Sequence, residues 1–153
     1  MPPFEIETVQ ALKNFVGREV GVSDWHAITQ DQVQQFADAT GDRQWIHLDR
    51  ERAQRESPFG ATIAHGFLTL SLISSRMKEA VQIRGARLVV NYGLNRVRFP
   101  APVRVDSKVR ARFRVIAVKE FGDSLEAMFS VAVECNCADK PCCVAEWVLR
   151  YYV

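Results

Sequence analysis

Hydrophobic positions along the chain change period near Gly85. Before it they recur at helical spacing, and after it they alternate. From Thr8 to Phe15 the residues Val9, Leu12 and Phe15 share one face, Thr8 is a capping residue and Gly17 a stop, which predicts a short helix. The following EVGVSDWHAIT alternates loosely and reads as a first strand or extended arm ending near Ile28. Thr29 to Thr40 predicts a second helix. Thr29 is its N-cap, Gln32 occupies the capping-box position and Asp31 lies in the first turn. Val33, Phe36, Ala37 and Thr40 form its inward face, and Gly41 supplies the left-handed stop.

Leu48 to Gln54 predicts a short surface helix capped by Asp49 and broken by Ser57-Pro58-Phe59-Gly60. From Ala64 to Val81 the chain reads AHGFLTLSLISSRMKEAV, apolar nearly all round until Arg76, Lys78 and Glu79. Such a helix is expected to be buried on every side.

After Gly85 four strands are predicted, Arg87–Arg98, Val105–Lys119, Ser124–Asn136 and Cys143–Tyr152. Turns fall at Phe99-Pro100-Ala101-Pro102, Gly122-Asp123 and Ala138-Asp139-Lys140-Pro141. In the second strand Val105, Val109, Ala111, Phe113 and Val115 oppose Lys108, Arg110, Arg112 and Arg114. In the third, Leu125, Ala127, Phe129, Val131 and Val133 alternate with polar residues such as Glu126, Ser130 and Glu134. These are antiparallel strands with one dry face.

One all-round hydrophobic helix needs a wrapping, and a curved antiparallel sheet with one apolar face supplies it. The expected class is therefore α+β, a single hotdog domain over residues 1–153. The C-terminal VAEWVLRYYV, left as a bare apolar edge, would invite association, so a homodimer is expected.

Composition narrows the classes. With 48% hydrophobic and 25% charged residues the chain reads as globular, and a net charge of +2 argues against nucleic-acid binding driven by bulk charge while leaving room for a local basic patch facing an anionic ligand. The start lacks a basic then apolar leader, and no apolar run reaches the ~20 residues of a bilayer span. A cytoplasmic protein without membrane partners is expected. Cys135, Cys137, Cys142 and Cys143 could be read as a zinc set. The C-x-C and vicinal spacing is poor for zinc, and reduced, half-buried thiols on a hairpin are expected instead, with no metal.

The candidate chemistry lies between Phe36 and Leu72. Asp42 follows Gly41 at a helix C-terminus, where the dipole gives a carboxylate no help and shielding from water would raise its pKa. His47 lies on the same polar loop, fixed by Trp45 and Ile46. Acid and imidazole together can hold one water. Gly66 opens the apolar helix, so its backbone N–H is an orphan donor that a carbonyl oxygen can approach. The set suits adding water to, or removing it from, a double bond conjugated to a thioester.

FADATGDRQWIHLD followed by ATIAHGFL resembles the hydratase-2 signature of the MaoC-like family, which includes (R)-specific enoyl-CoA hydratases and nodulation-protein-N-like single-hotdog proteins. The resemblance covers residues ~36 to 74 strongly. It implies Asp42 and His47 as the catalytic pair and the Gly66 N–H as the thioester-oxygen donor, with Ser74 and Gln44 in support. It implies an acyl-CoA substrate, no cofactor beyond the CoA of that substrate, and (3R)-3-hydroxyacyl-CoA as the product of syn hydration. Where many members have Asn-Pro between acid and histidine, this chain has Gln44-Trp45; Gln keeps the amide with a longer reach, and substrate fit is expected to differ there.

The remaining polar residues have plainer readings. His65 is expected to help close the start of the apolar helix, His26 to be structural, and Ser71 and Ser74 to bond back to helix carbonyls. Arg96, Arg98, Lys108 and Arg110 could meet CoA phosphates, but are expected to be solvated strand faces. Two other functions fit the same parts: a dehydratase acting on acyl-carrier-protein thioesters, and a non-catalytic thioester-binding hotdog subunit that would lose the acid.

Overall fold

The computed structural model describes residues 1–153. Its strands are β1 (Phe4–Ile6), β2 (Glu19–Val22), β3 (His26–Ala27), β4 (Val81–Ile83), β5 (Leu88–Arg98), β6 (Lys108–Phe121), β7 (Ser124–Cys135) and β8 (Cys143–Tyr152). Its α-helices are α1 (Gln30–Thr40), α2 (Trp45–Leu48), α3 (Arg50–Glu56) and α4 (Gly66–Ala80). A 3-10 helix spans Val9–Phe15, capped by the Thr8 side chain on Ala11 N–H.

The main sheet runs β2-β6-β7-β8-β5, with β3 also on β6, and all these pairings are antiparallel. Its dry face is the alternation legible in the strands. Val109, Ala111, Phe113 and Val115 of β6 are fully buried, and Phe129 and Val131 of β7 stand opposite Val115 and Phe113. Phe129 in turn pairs with Trp147 of β8, and Leu125 with Tyr151. These side chains meet Leu68, Ile73 and Met77 of α4 in one core. The curved antiparallel sheet on a central helix expected of a hotdog protein is present. The 3-10 helix seals the core with Val9 and Leu12, and β1 pairs in parallel with β4, a small sheet that three-residue strands did not announce.

Two expectations are corrected by the way the sheet curls. It covers only one side of α4: Leu68, Thr69, Ile73, Met77 and Ala80 are buried, whereas Phe67 is 69% exposed and Ser71, Ser74, Ser75 and Lys78 are exposed too. The helix is thus not buried on every side in the single chain. Nor is β8 an edge. It lies between β7 and β5, and the apolar edge is β5, with Leu88, Val89, Val90, Tyr92 and Leu94 exposed. Strand order depends on long-range pairing, which local alternation does not encode.

The cysteines also differ from expectation. Cys135 and Cys137 are joined by a disulfide rather than reduced. Cys142 and Cys143 are free and buried, and burial pushes their thiols up to about 12 and about 11, so they stay protonated and unreactive. Four such sulfurs do not offer a thiolate set to a metal.

Candidate active site

The site is assembled where the end of α1, the turn of α2 and the segment entering α4 meet. Helix α1 starts as the sequence predicts, with Thr29 accepting from Gln32 N–H at 3.1 Å. The Gln32 side chain does not complete a capping box; its Oε1 accepts from His26 Nε2 at 3.1 Å, giving His26 its structural role. Val33 and Ala37 anchor α1 in the interior, Phe36 is half-buried and Thr40 is exposed. Gly41 ends the helix in the left-handed region at φ 83°, its N–H on Ala37 O at 2.8 Å, and so turns Asp42 out of the helix.

The Asp42 side chain is exposed in the single chain and is not shielded from water. Its Oδ1 accepts from the Gln44 backbone N–H at a long 3.4 Å. The Gln44 side chain is exposed and caps nothing, so the only contact with the acid is through its backbone.

His47 lies on α2 rather than on an irregular loop, and is 7% exposed. Its Nδ1 is 2.7 Å from the Ile63 carbonyl. A carbonyl only accepts, so Nδ1 carries the proton and Nε2 keeps a lone pair. The backbone is fixed as well: Gln30 Nε2 donates to His47 O at 2.7 Å, Thr62 Oγ1 donates to Gln30 Oε1 at 2.7 Å, and Ile63 N–H donates to Ile46 O at 3.0 Å. Burial lowers the His47 pKa below 6.5 and the neighbouring His65 lowers it further. The Ile63 hydrogen bond and Asp42 oppose this without reversing it.

His65 is 2% exposed and does not cap α4 with its side chain, contrary to expectation. Its Nε2–H donates to the Asp42 backbone carbonyl at 2.9 Å, and its ring stacks on His47 with centroids 3.8 Å apart and planes inclined by 22°. Phe36 packs on its other neighbour side at 4.9 Å. Its Nδ1 is buried without a partner. Asp42, His47 and His65 bring one acid oxygen and two ring nitrogens within 4.8 Å of one another. That donor set could suit a divalent cation, but imidazole lone pairs lie in the ring plane, and two stacked rings aim theirs side by side rather than at one point.

Gly66 begins α4, and neither its N–H nor that of Phe67 has a protein acceptor. A Cβ at Gly66 would stand 3.2 Å from the Phe99 ring, so a methyl here requires that ring to give by a few tenths of an ångström. Beside it, Ile63, Gly66, Thr69, Phe99, Pro102 and Cys142 line a cavity of about 310 Å³. Ser74 lies elsewhere. It lines a separate cavity of about 490 Å³ that shares no residue with the Asp42–His47–His65 cluster.

The structure therefore brings Asp42, His47 and His65 together beside the entry to α4 at Gly66, leaves Gln44 at the edge and sets Ser74 apart. Sequence patterns gave no sign of Gln30, Thr62 or the Ile63 carbonyl; the His65-Gly66 pair was visible, but its reach back to Asp42 was not. Among the basic residues, Arg110 and Arg112 are paired with Glu134 at 2.6 Å, and Arg98 bonds the Val97 carbonyl.

Known proteins resemble this chain. The model of the MaoC-like domain matches residues 11–133. The 3-hydroxyacyl-thioester dehydratase Z of Mycobacterium tuberculosis is 50% identical over 146 residues, 95% of this chain and 96% of the relative. Nodulation protein N of Rhizobium leguminosarum is 45% identical over 87% of this chain and 84% of its own length. Among solved structures, the (R)-hydratase from A. caviae involved in PHA biosynthesis superposes with a TM-score of 0.72 at 25% identity, covering 88% of this chain and 94% of that one. With a family model spanning most of the sequence and a relative identical at half its positions, the chain belongs to the MaoC-like dehydratase family of hydro-lyases.

Proposed function

We propose that the chain catalyses the reversible addition of water to a trans-2-enoyl-CoA, giving a (3R)-3-hydroxyacyl-CoA. The observation that carries this is the convergence of Asp42, His47 and His65 within 4.8 Å beside the unpaired N–H groups of Gly66 and Phe67. Water donates one hydrogen to the Asp42 carboxylate and the other to the His47 lone pair. As Asp42 takes its proton, the oxygen attacks C3 and the electron pair moves to the thioester oxygen, where the Gly66 N–H meets it. Protonated Asp42 then returns a proton to C2 on the same face, which closes the syn addition. General acid–base chemistry of this kind supplies roughly 10²–10⁴-fold, and an oxyanion donor about 3 kcal/mol. Gln44 supports Asp42 through its backbone, Ser74 faces the acyl chain, and no cofactor or metal takes part.

The dehydratase reading on acyl-carrier-protein thioesters uses the same atoms with a different handle, and the thioester named in the Mycobacterium tuberculosis relative accommodates either. A non-catalytic binding subunit is disfavoured by the intact acid and imidazole. The apolar β5 edge supports a homodimer in which a second copy covers it. No helix is long and apolar enough to cross a membrane; a cytoplasmic location without membrane or nucleic-acid partners is part of the same proposal.

The test is to offer purified protein trans-2-enoyl-CoAs of several lengths, follow loss of the conjugated thioester absorbance and resolve product chirality. Activity giving (3R) product and abolished in Asp42→Asn is expected. Equal inertness of wild type and variant at every length would overturn the reading, and (S) product would overturn the assigned geometry.

A further inference from the structure

The open face of α4 leads from the Asp42–His47 cluster to the larger cavity. Gly66, Phe67, Ser71, Ser74 and Lys78 fall on one side of the helix, and the last four are exposed. Ser74 stands eight residues beyond Gly66, about 12 Å along the axis. There the cavity of about 490 Å³ opens between the end of α4, β5 and β8. Met77, Val81, Ile83, Val89 and Leu149 give it apolar walls that suit an alkyl chain.

Three polar groups on the same walls do not suit one. Tyr151 is 3% exposed, and its hydroxyl has no hydrogen-bond partner in the protein. Burial pushes its pKa up, so it remains a donor. Trp147 Nε1 donates to Asn91 Oδ1 at 2.7 Å. An indole N–H can only donate, which fixes the amide oxygen on Trp147 and leaves the NH₂ group of Asn91 without that partner. Ser71 and Ser75 bond back to the carbonyls of Phe67 and Leu72, but the Ser74 hydroxyl makes no such bond. Lys78 and Gln82 also line the cavity but remain open to solvent.

We propose that this cavity receives the far end of the acyl chain and that the chain carries an oxygen acceptor there, met by Tyr151, Asn91 and Ser74. The inference rests on the thioester reading above, with the carbonyl at Gly66 and the chain laid along α4. A plain alkyl end would strip water from the hydroxyl of the buried Tyr151 and replace it with nothing, which is costly for a buried donor, whereas Asn91 and Ser74 are exposed and add their bonds from the open side. A hydroxyl or ketone oxygen restores the lost bonds. A site built to bond a substrate oxygen rejects the analogue lacking it far more strongly than a site sensing one methylene.

Calorimetric titration of the full-length protein with decanoyl-CoA and with its 9-oxo derivative, whose ketone oxygen can only accept, tests this without turnover. Binding of the oxygenated chain at least about ten-fold tighter is expected; equal or weaker binding overturns the proposal. Tyr151→Phe removes one donor. Asn91→Asp keeps an oxygen on Trp147 and replaces a second donor by an oxygen that can only accept; because Asn91 lies on the β5 edge, sedimentation first checks that the variant keeps the wild-type oligomeric state. Each should narrow the ratio of the two affinities, and a ratio unchanged in both overturns the proposal. Turnover of enoyl-CoAs without the preference overturns this inference alone, whereas the preference without turnover on any enoyl-CoA overturns the hydratase reading alone.

Discussion

His65 Nε2–H donates to the backbone carbonyl of Asp42 at 2.9 Å, across 23 positions of sequence. The bond ties the second residue after α1 to the residue before α4, so the acid and the Gly66 donor share one rigid link. The same ring backs His47. Its Nδ1 is buried without a partner, so the Nε2 side alone ties the ring to the backbone.

His65 is therefore expected to act as a positioning residue. His65→Phe keeps a ring against His47 and loses the donor; His65→Gln keeps a donor and loses the ring. Misplacement by about 1 Å costs on the order of 10²-fold, so each is expected to lower kcat by roughly 10–100-fold with KM little changed. Steady-state kinetics on a trans-2-enoyl-CoA separates the two constants, and a loss confined to KM would contradict the role.

The lowered pKa of His47 sets the pH behaviour. Burial disfavours the imidazolium, so the neutral form that accepts from water persists below pH 6.5. The acid limb of kcat/KM is expected below 6.5. The stability linkage has the same sign: the unfolded state binds the proton first, so stability is full above 6.5 and is lost as pH falls through the folded value. His47→Gln should flatten this part of the stability profile, measured by denaturant unfolding across the range.

Gly66 is held small by Phe99. A methyl there would press on the ring at 3.2 Å while the N–H remained. Gly66→Ala is expected to reduce kcat/KM about ten-fold or more, by forcing either ring or helix start to shift. Adding Phe99→Leu should recover most of the loss. If the double variant is no better than Gly66→Ala, the ring is not what constrains the position.

Much of the scaffold was legible because its signals are local. Thr29 and Gly41 bound α1 by capping chemistry, and the alternation from Val109 to Val115 marks the dry face of β6. The acid, the imidazole and the helix-opening glycine could be picked out for the same reason. What could not be read is whatever joins distant segments. The Ile63 carbonyl that sets the His47 tautomer is backbone and leaves no residue signature, and β5 rather than β8 became the edge because β8 found partners on both sides. The apolar content of α4 could not reveal which side the sheet would leave open.

The β5 edge makes the proposed homodimer testable. Tyr92 is 59% exposed on β5 and Val90 is 39% exposed. A charge at either place blunts a pairing edge. Val90→Lys and Tyr92→Lys are expected to shift wild-type dimer to monomer in sedimentation velocity at micromolar concentration. A monomeric wild type, or a dimer indifferent to both changes, would place the contact elsewhere or remove it.

The end of α4 depends on a second glycine. A Cβ on Gly21 of β2 would stand 2.5 Å from the Ala80 carbonyl oxygen and 2.8 Å from Val81 Cγ2. The first of these is backbone and cannot rotate aside, so Gly21→Ala must push β2 away from the junction between α4 and β4. Overpacking of this kind costs about 1–3 kcal/mol. In urea the midpoint should fall with the slope unchanged, because the surface exposed on unfolding is the same. Val81 also lines the cavity beside Tyr151, so the shift reaches the acyl end of the site but not the Asp42–His47 cluster. KM for long enoyl chains is accordingly expected to rise while kcat on the shortest chain holds, and a variant as stable as wild type would show that β2 moves aside freely.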